Sequence, residues 1–227
     1  MKQPVLIALD GPVGAGKSSL ADAVAHRLNI LHLDTGAMYR ALALGALKLG
    51  VDVQDEASLT RLCDDGAVHV DVQFAKGRQQ TLLNGVPVDD DIRSQEIGSA
   101  ASTVSRYRRV RQYLVERQQQ LAAQQSMIVD GRDIGTVVLP MARAKIFLTA
   151  SAEKRAQRRY QQLLDKGQKT DYQAVLDELR QRDRQDSERV VDPLRQADDA
   201  VLLDTSDLDF DQSVQAILRI VEAAYAG

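Results

Sequence analysis

The chain has 227 residues, of which 44% are hydrophobic and 27% charged, and a formal net charge of −3; these are ordinary values for a globular protein. The charge balance excludes a strongly basic nucleic-acid binder, and no apolar run approaches the ~18 residues that suggest a membrane span. Cys63 is the single cysteine and the N-terminus lacks a signal-peptide layout, so we expect a cytoplasmic protein without nucleic-acid or membrane partners.

Arginine dominates the basic residues. Of the 29 basic residues 21 are Arg, and 15 of these lie between residues 106 and 195. Coding bias and solvated helix faces would explain this count, and composition alone favours that explanation. The planar guanidinium also matches carboxylates and phosphates, which leaves anion binding open for a subset of them.

The first elements along the chain predict a βαβ unit. Residues 5–9 are a continuous apolar run, typical of a strand buried on both faces of a parallel sheet. Within residues 17–28, Leu20, Val24 and Leu28 recur at helical spacing. A second short strand is predicted at residues 30–33.

The turn between the first strand and the helix carries a phosphate-binding motif. Residues 11–18 read Gly-Pro-Val-Gly-Ala-Gly-Lys-Ser, the full P-loop pattern. Its glycines allow successive N–H groups to point at phosphate oxygens, while Lys17 can bridge the β- and γ-phosphates and Ser18 can bind Mg²⁺. A Gly-rich turn matched by chance is the alternative, but the flanking strand and helix favour nucleotide binding. The motif does not choose between an ATPase, a GTPase, a transporter subunit and a small-molecule kinase.

Polar segments follow two of the predicted buried strands. Residues 34–40 read Asp-Thr-Gly-Ala-Met-Tyr-Arg, and residues 130–135 read Asp-Gly-Arg-Asp-Ile-Gly. The carboxyl ends of parallel strands face the ligand crevice, so we expect Thr35, Arg40 and Arg132 beside the P-loop. A helix cap with a surface arginine, and a buried Arg–Asp ion pair, are the alternatives. Two such segments at two strand ends favour a phosphate site.

The middle of the chain has a different pattern. Val68, Val70 and Val72 alternate with polar residues, and Asn84 followed by glycine is a strong hairpin signal. We therefore predict an antiparallel insertion over residues 68–88. Helical patterns follow it at residues 92–104 and 110–123.

The remainder returns to alternating strands and helices. Short buried strands are predicted at residues 127–130, 145–148 and 200–203. Helices are predicted at residues 152–165, 172–186 and 210–225, and the first two are joined by the polar connection 166–169. The whole pattern predicts an α/β fold with a parallel sheet flanked by helices.

These segments together resemble the bacterial-type cytidylate kinases, an adenylate-kinase-like P-loop family, over nearly the whole chain. The Asp-Gly-Arg-Asp segment followed by Gly-Thr-Val-Val at residues 135–138 is the most discriminating part. The resemblance implies one kinase domain over residues 1–227, with a monophosphate-binding insertion at 64–104 and a short lid at 152–169. It also implies a monomer that uses Mg²⁺ and ATP to phosphorylate CMP or dCMP in pyrimidine metabolism.

The resemblance implies roles for individual residues, carried over by position. The ATP site would comprise Gly11, Pro12, Val13, Gly14, Ala15, Gly16, Lys17, Ser18 and Ser19. The acceptor phosphate would be held by Thr35, Arg40, Arg132 and Arg189. The cytosine would be read by Ser102, Arg111 and Asp133, and the sugar would be touched by Arg182 and Asp186. Transfer would depend on Lys17, Arg132, Arg155, Arg158 and Arg159.

The sequence leaves the metal ligand and the exact function open. Family members commonly have Gly and then Thr where this chain has Ser18 and Ser19, so either serine is a candidate for the metal. A kinase for another acceptor such as UMP, and a nucleotide-dependent binding protein without transfer, are competing hypotheses. His26, His32 and His69 lack metal-ligand spacing, and we expect them to be structural or surface groups.

Overall fold

The computed structural model describes residues 4–226, which form eight strands and eight α-helices. The strands are β1 (Leu6–Asp10), β2 (Leu31–Asp34), β3 (Val70–Ala75), β4 (Arg78–Leu83), β5 (Val86–Pro87), β6 (Met127–Gly131), β7 (Ala144–Thr149) and β8 (Val201–Asp204). The helices are α1 (Lys17–Leu28), α2 (Thr35–Lys48), α3 (Glu56–Asp64), α4 (Gln95–Val104), α5 (Arg108–Ala122), α6 (Ala152–Asp165), α7 (Tyr172–Glu188) and α8 (Phe210–Tyr225).

The central sheet is parallel, as predicted, with the strand order β2-β6-β1-β7-β8. Its inner strands β6, β1 and β7 are mostly apolar and buried, because both of their faces are covered. Ile7 and Leu9 pack toward α1 and α8, while Ala8 faces the larger cluster formed with α2, α4 and α5. The register places Asp34 beside Asp130, so the carboxyl ends of the strands meet at one edge.

The predicted antiparallel insertion is confirmed as a separate three-stranded sheet, β3-β4-β5. Asn84, with φ +51°, forms the expected hairpin turn between β4 and β5. A second turn at residues 76–77 joins β3 to β4. The sheet packs on α2, where a Cβ on Gly45 would lie 2.9 Å from the Val68 side chain, so a small residue is required at this crossing.

Several helices differ from the sequence prediction. The helix predicted over residues 92–104 is confirmed over Gln95–Val104 and wrong at its start, because Asp91–Arg93 form a separate 3₁₀ turn before α4 begins. The hydroxyl of Ser94 accepts a hydrogen bond from the N–H of Ile97 at 3.2 Å and thereby caps the new helix. The helices α2 and α3 were not predicted, whereas α8 has the predicted bounds.

The helices α6 and α7 form a hairpin that has its own small core. Ala156, Val175 and Leu179 are buried between the two helices, and Val13 of the P-loop packs against them. This places the hairpin on the outer side of the phosphate loop. No helix within residues 4–226 has both the length and the apolar content that crossing a membrane requires.

Candidate active site

The P-loop backbone adopts conformations at Gly11 and Gly16 that favour glycine. Gly11 has φ +151°, and a Cβ there would lie 2.0 Å from the carbonyl oxygen of Leu148. Gly16, with φ +89°, is the residue before α1. These conformations are costly for other residues. They direct the loop over the N-terminus of α1, where backbone N–H groups have no partner within the helix and can bind an anion.

Lys17 lies under this loop and is almost fully buried. Its ammonium donates hydrogen bonds to the carbonyl oxygens of Gly11 and Pro12 at 2.8 and 2.7 Å. Burial, together with the positive charge of Arg132, lowers the pKa of Lys17 to about 7. The loop therefore holds a lysine that is poised between its charged and neutral forms.

Ser18, Asp130 and His32 form a chain of hydrogen bonds beside the P-loop. The Ser18 hydroxyl donates to Oδ2 of Asp130 at 2.8 Å, and Nε2 of His32 lies 2.7 Å from Oδ1 of the same carboxylate. Burial opposes the ionisation of Asp130, but the hydrogen bond and charge of His32, the charge of Lys17 and the hydrogen bond with Ser18 outweigh it and lower the pKa. The site thus presents an ionised carboxylate beside a hydroxyl.

This pair of oxygen ligands fits Mg²⁺, which is commonly held by one or two protein groups together with substrate phosphates. Ser18 follows the lysine of the P-loop, and its hydroxyl lies against Asp130. Within residues 4–226, no group of three or more His, Cys, Asp and Glu side chains is arranged to hold a metal.

Arg132 and Arg40 are each held by a carboxylate. Nε of Arg132 donates to Asp186 at 2.7 Å, and Nη2 of Arg40 donates to Asp34 at 2.9 Å. Asp34 also accepts the N–H of Ala37 and caps α2. The helix cap and the Arg–Asp ion pairs, which were the alternatives to a phosphate site, are therefore both present. The ion pairs also orient the two arginines at the strand ends.

Asp133 lies between two buried arginines. Arg111 is 1% exposed and bonds to Asp133 through Nη2 and to Asp192 through Nε, while Nη2 of Arg189 lies 3.4 Å from Asp133. The ring of Tyr39 lies 5.7 Å from the guanidinium carbon of Arg111. That Nη2 of Arg189 is buried and makes no hydrogen bond within the described residues, so its contact with Asp133 is a longer ion pair.

The other implied acceptor residues border this network. The Thr35 hydroxyl donates to the backbone oxygen of Asp130 at 2.8 Å. Ser102 lies on α4, one turn before Ser105, whose carbonyl accepts from Arg111 at 3.4 Å. Burial and the charge of Arg132 lower the pKa of Arg182, which places this guanidinium within the same electrostatic environment.

The three arginines of α6 have different surroundings. Arg155 is buried and bonds to the carbonyls of Val13 and Ala150 and to the carboxylate of Asp183. Arg158 donates to the Thr205 carbonyl at 2.7 Å, and Arg159 is exposed. Arg155 therefore ties the α6–α7 hairpin to the P-loop.

Sequence reasoning missed several residues that hold the site in place. Asp10 accepts the N–H groups of Ile134 and Gly135, each at 2.7 Å, and burial raises its pKa to about 6. Its place at the end of β1 repeats the strand-end pattern and was a usable signal. The side-chain amide of Gln79 accepts a hydrogen bond from the N–H of Asp34 and donates one to its carbonyl oxygen. No local sequence pattern predicts this contact.

A P-loop kinase fold is defined by this combination: a phosphate loop after β1, a parallel sheet and arginines at the strand ends. The chain shares its fold with an uncharacterized protein from Eubacterium ventriosum, with a TM-score of 0.54, 11% identity and coverage of 96% of this chain and 99% of that one.

The sequence profile of the cytidylate kinase family matches residues 7–223. The cytidylate kinase of Bacillus licheniformis is 44% identical over 222 residues, covering 98% of each chain. That of Caldicellulosiruptor bescii is 44% identical over 214 residues, covering 94% of each. The chain belongs to the cytidylate kinase family, which confirms the resemblance seen in its motifs.

Proposed function

We propose that this chain transfers the γ-phosphoryl group of ATP to CMP or dCMP, giving ADP and CDP or dCDP. The observation that carries the proposal is the full-length similarity to cytidylate kinases. The geometry supports it because a P-loop and an arginine-rich acceptor network share one edge of the sheet. A role in pyrimidine metabolism follows from this reaction; a cytoplasmic monomer without nucleic-acid or membrane partners stays a prediction.

The donor site comprises the loop of residues 11–18 and Lys17. Its backbone N–H groups receive phosphate oxygens, and the Lys17 ammonium turns from the loop carbonyls toward the β- and γ-phosphates. Ser18 and Asp130 would hold Mg²⁺, which adds positive charge at those phosphates when it is bound. Ser19, the next residue, contributes to the N-terminus of α1.

The acceptor phosphate is assigned to Thr35, Arg40, Arg132 and Arg189. The two anionic substrates repel each other, so fixed cations must offset that repulsion as they approach. The ion pairs with Asp34 and Asp186 hold two of these guanidinium groups in place before the substrate arrives. No general base is required, because the attacking atom is already a phosphate oxygen.

The cytosine is assigned to Arg111 and Asp133, with Ser102 beside them. A carboxylate accepts from the 4-amino group of cytosine, whereas the corresponding carbonyl of uracil would face that carboxylate with no hydrogen to share. Asp133 is fixed by the two arginines around it. Arg182 and Asp186, on α7, are assigned to the sugar.

Residues 64–104 would form the monophosphate-binding region and residues 152–169 the lid. The lid restricts water near the transferring group and so limits hydrolysis. Of its arginines, Arg158 and Arg159 are assigned to the phosphates. The contacts of Arg155 support a positioning role instead, because its donors already meet two carbonyls and Asp183.

Steady-state assays of ADP formation with CMP, dCMP, UMP, AMP and GMP test the proposal. We expect CMP and dCMP to have the highest kcat/KM, with UMP lower by about 5- to 150-fold, since one mismatched buried hydrogen-bonding group costs roughly 1–3 kcal/mol. Turnover of AMP equal to that of CMP would overturn the assignment. ATP binding without acceptor-dependent ADP formation would indicate a binding protein.

A further inference from the structure

His32 stands next to the metal-site carboxylate without belonging to any of the site motifs. It lies on β2, and the parallel register pairs it with Ile128, two residues before Asp130 on β6. Side chains two residues apart on a strand share a face, so His32 and Asp130 meet diagonally across the two strands. The His32 side chain is 13% exposed and that of Asp130 4%.

The hydrogen bond between them has a defined direction. An ionised carboxylate can only accept hydrogen bonds, so Nε2 of His32 must carry the hydrogen that it shares with Oδ1 of Asp130. The other carboxylate oxygen, Oδ2, accepts from the Ser18 hydroxyl. One oxygen of Asp130 is thus held by His32, and the other lies at the hydroxyl proposed to bind Mg²⁺.

We propose that His32 is a positioning residue that fixes the rotation of the Asp130 carboxylate and so raises the affinity of the site for the divalent cation. This inference rests on the proposed function, because it takes Ser18 and Asp130 as the groups that hold Mg²⁺. Hydrogen bonds to a ligating carboxylate commonly account for about 10- to 100-fold in metal affinity. Without His32, Oδ1 loses its partner and the carboxylate is free to turn away from Ser18.

Binding of Mn²⁺, used as a paramagnetic probe for Mg²⁺, tests the proposal directly. The cation is titrated into the full chain saturated with a non-hydrolysable ATP analogue, and free Mn²⁺ is followed by electron paramagnetic resonance. His32→Leu is expected to weaken Mn²⁺ binding about 10- to 100-fold. Nucleotide binding in EDTA should remain within about twofold of the original chain, since this measurement omits the cation.

Three further variants separate positioning from a general structural effect. His32→Gln keeps an N–H donor at the reach of Nε2 and should restore Mn²⁺ affinity to within about threefold. His32→Asn is polar but shorter, so it should bind Mn²⁺ as weakly as His32→Leu and replaces that variant if it fails to fold. His26→Leu, at an exposed histidine of α1, is the matched control and should leave the affinity unchanged.

A double-mutant comparison shows whether His32 acts through Asp130. In the Asp130→Asn background, adding His32→Leu should change Mn²⁺ affinity by less than about twofold, whereas independent effects would multiply. The proposal is overturned if His32→Leu and His32→Asn bind Mn²⁺ as tightly as the original chain. Because the assay contains no acceptor, a failure of the cytidylate assignment leaves this result readable. Absence of Mn²⁺ binding by the original chain would instead contradict the proposed metal site.

Discussion

The donor and acceptor sides of this site are built in different ways. The donor side is one continuous segment, residues 11–18, whose glycine-rich backbone and single lysine provide the phosphate contacts. The acceptor side is a set of arginines from α2, α5, the loop after β6 and the end of α7, each paired with an aspartate. One side therefore depends on backbone conformation and the other on side-chain charge.

The two sides also differ in the charge of their cationic side chains before substrate binds. Before substrate binds, the Lys17 ammonium is hydrogen-bonded to carbonyl oxygens of the loop. It can lose its charge, because its pKa lies near 7. The acceptor arginines keep their charge at any physiological pH and are oriented by carboxylates. We infer that the donor side can adjust its charge to its ligand, whereas the acceptor side is rigid and charged in advance.

Replacing Lys17 by Ala should have the largest effect and tests the donor side. We expect kcat to fall by about 10³-fold, because a cation aimed at charge that develops in the transition state is lost. Steady-state assays with saturating ATP and CMP provide the measurement. Lys48→Ala, at an exposed lysine at the end of α2, is the control and should remain within about twofold; an unchanged kcat in Lys17→Ala would contradict the P-loop assignment.

The two sides also differ in how much the sequence predicts. The P-loop residues are consecutive, so their spacing alone predicts the strand, the turn and the helix. The partners of the acceptor arginines are far away in the chain, since Arg132 and Asp186 are 54 positions apart and Arg111 and Asp192 are 81 apart. Only the fold brings such pairs together, and local patterns cannot reveal them.

The start of α4 and the contacts of Arg155 also depend on the fold. The break before α4 depends on the cap formed by one serine, which a periodic apolar pattern passes over. The resemblance to cytidylate kinases implies that Arg155, in the lid, takes part in the transfer. The burial of Arg155 against Val13 and Asp183 results from the packing of α6 on α7 and the P-loop, and this packing is not visible in the sequence.

Replacing Arg132 by Ala tests the acceptor side and should have the second largest effect. A charge-assisted hydrogen bond to phosphate contributes about 2–3 kcal/mol, so the KM for CMP should rise about 100-fold while the KM for ATP stays within about twofold. Arg184→Ala, at an exposed arginine of α7, is the control. A defect confined to ATP would place Arg132 on the donor side, so the two sides would no longer differ in this way.

The pH dependence of ATP binding should give the smallest effect, and it tests whether Lys17 is charged before ATP binds. In the free protein, burial lowers the pKa of Lys17 from 10.5 to about 7. The charged form that phosphates prefer is therefore nearly fully present below about pH 6 and is lost as the pH rises through about 7. Bound phosphates favour the charged form and raise the pKa again. The affinity for ATP should therefore weaken about tenfold between about pH 6 and 8 because of this group.

Calorimetric titrations at about pH 8, in two buffers of different ionisation enthalpy, measure the protons taken up with ATP. The chain with Lys17 should take up close to one more proton than Lys17→Met, a comparison that subtracts the protons bound by ATP itself. Binding of CMP should show no such difference, because the acceptor cations are arginines and do not titrate. Equal proton uptake by the two variants would mean that Lys17 is charged throughout, so that both sides of the site carry their charge before substrate binds.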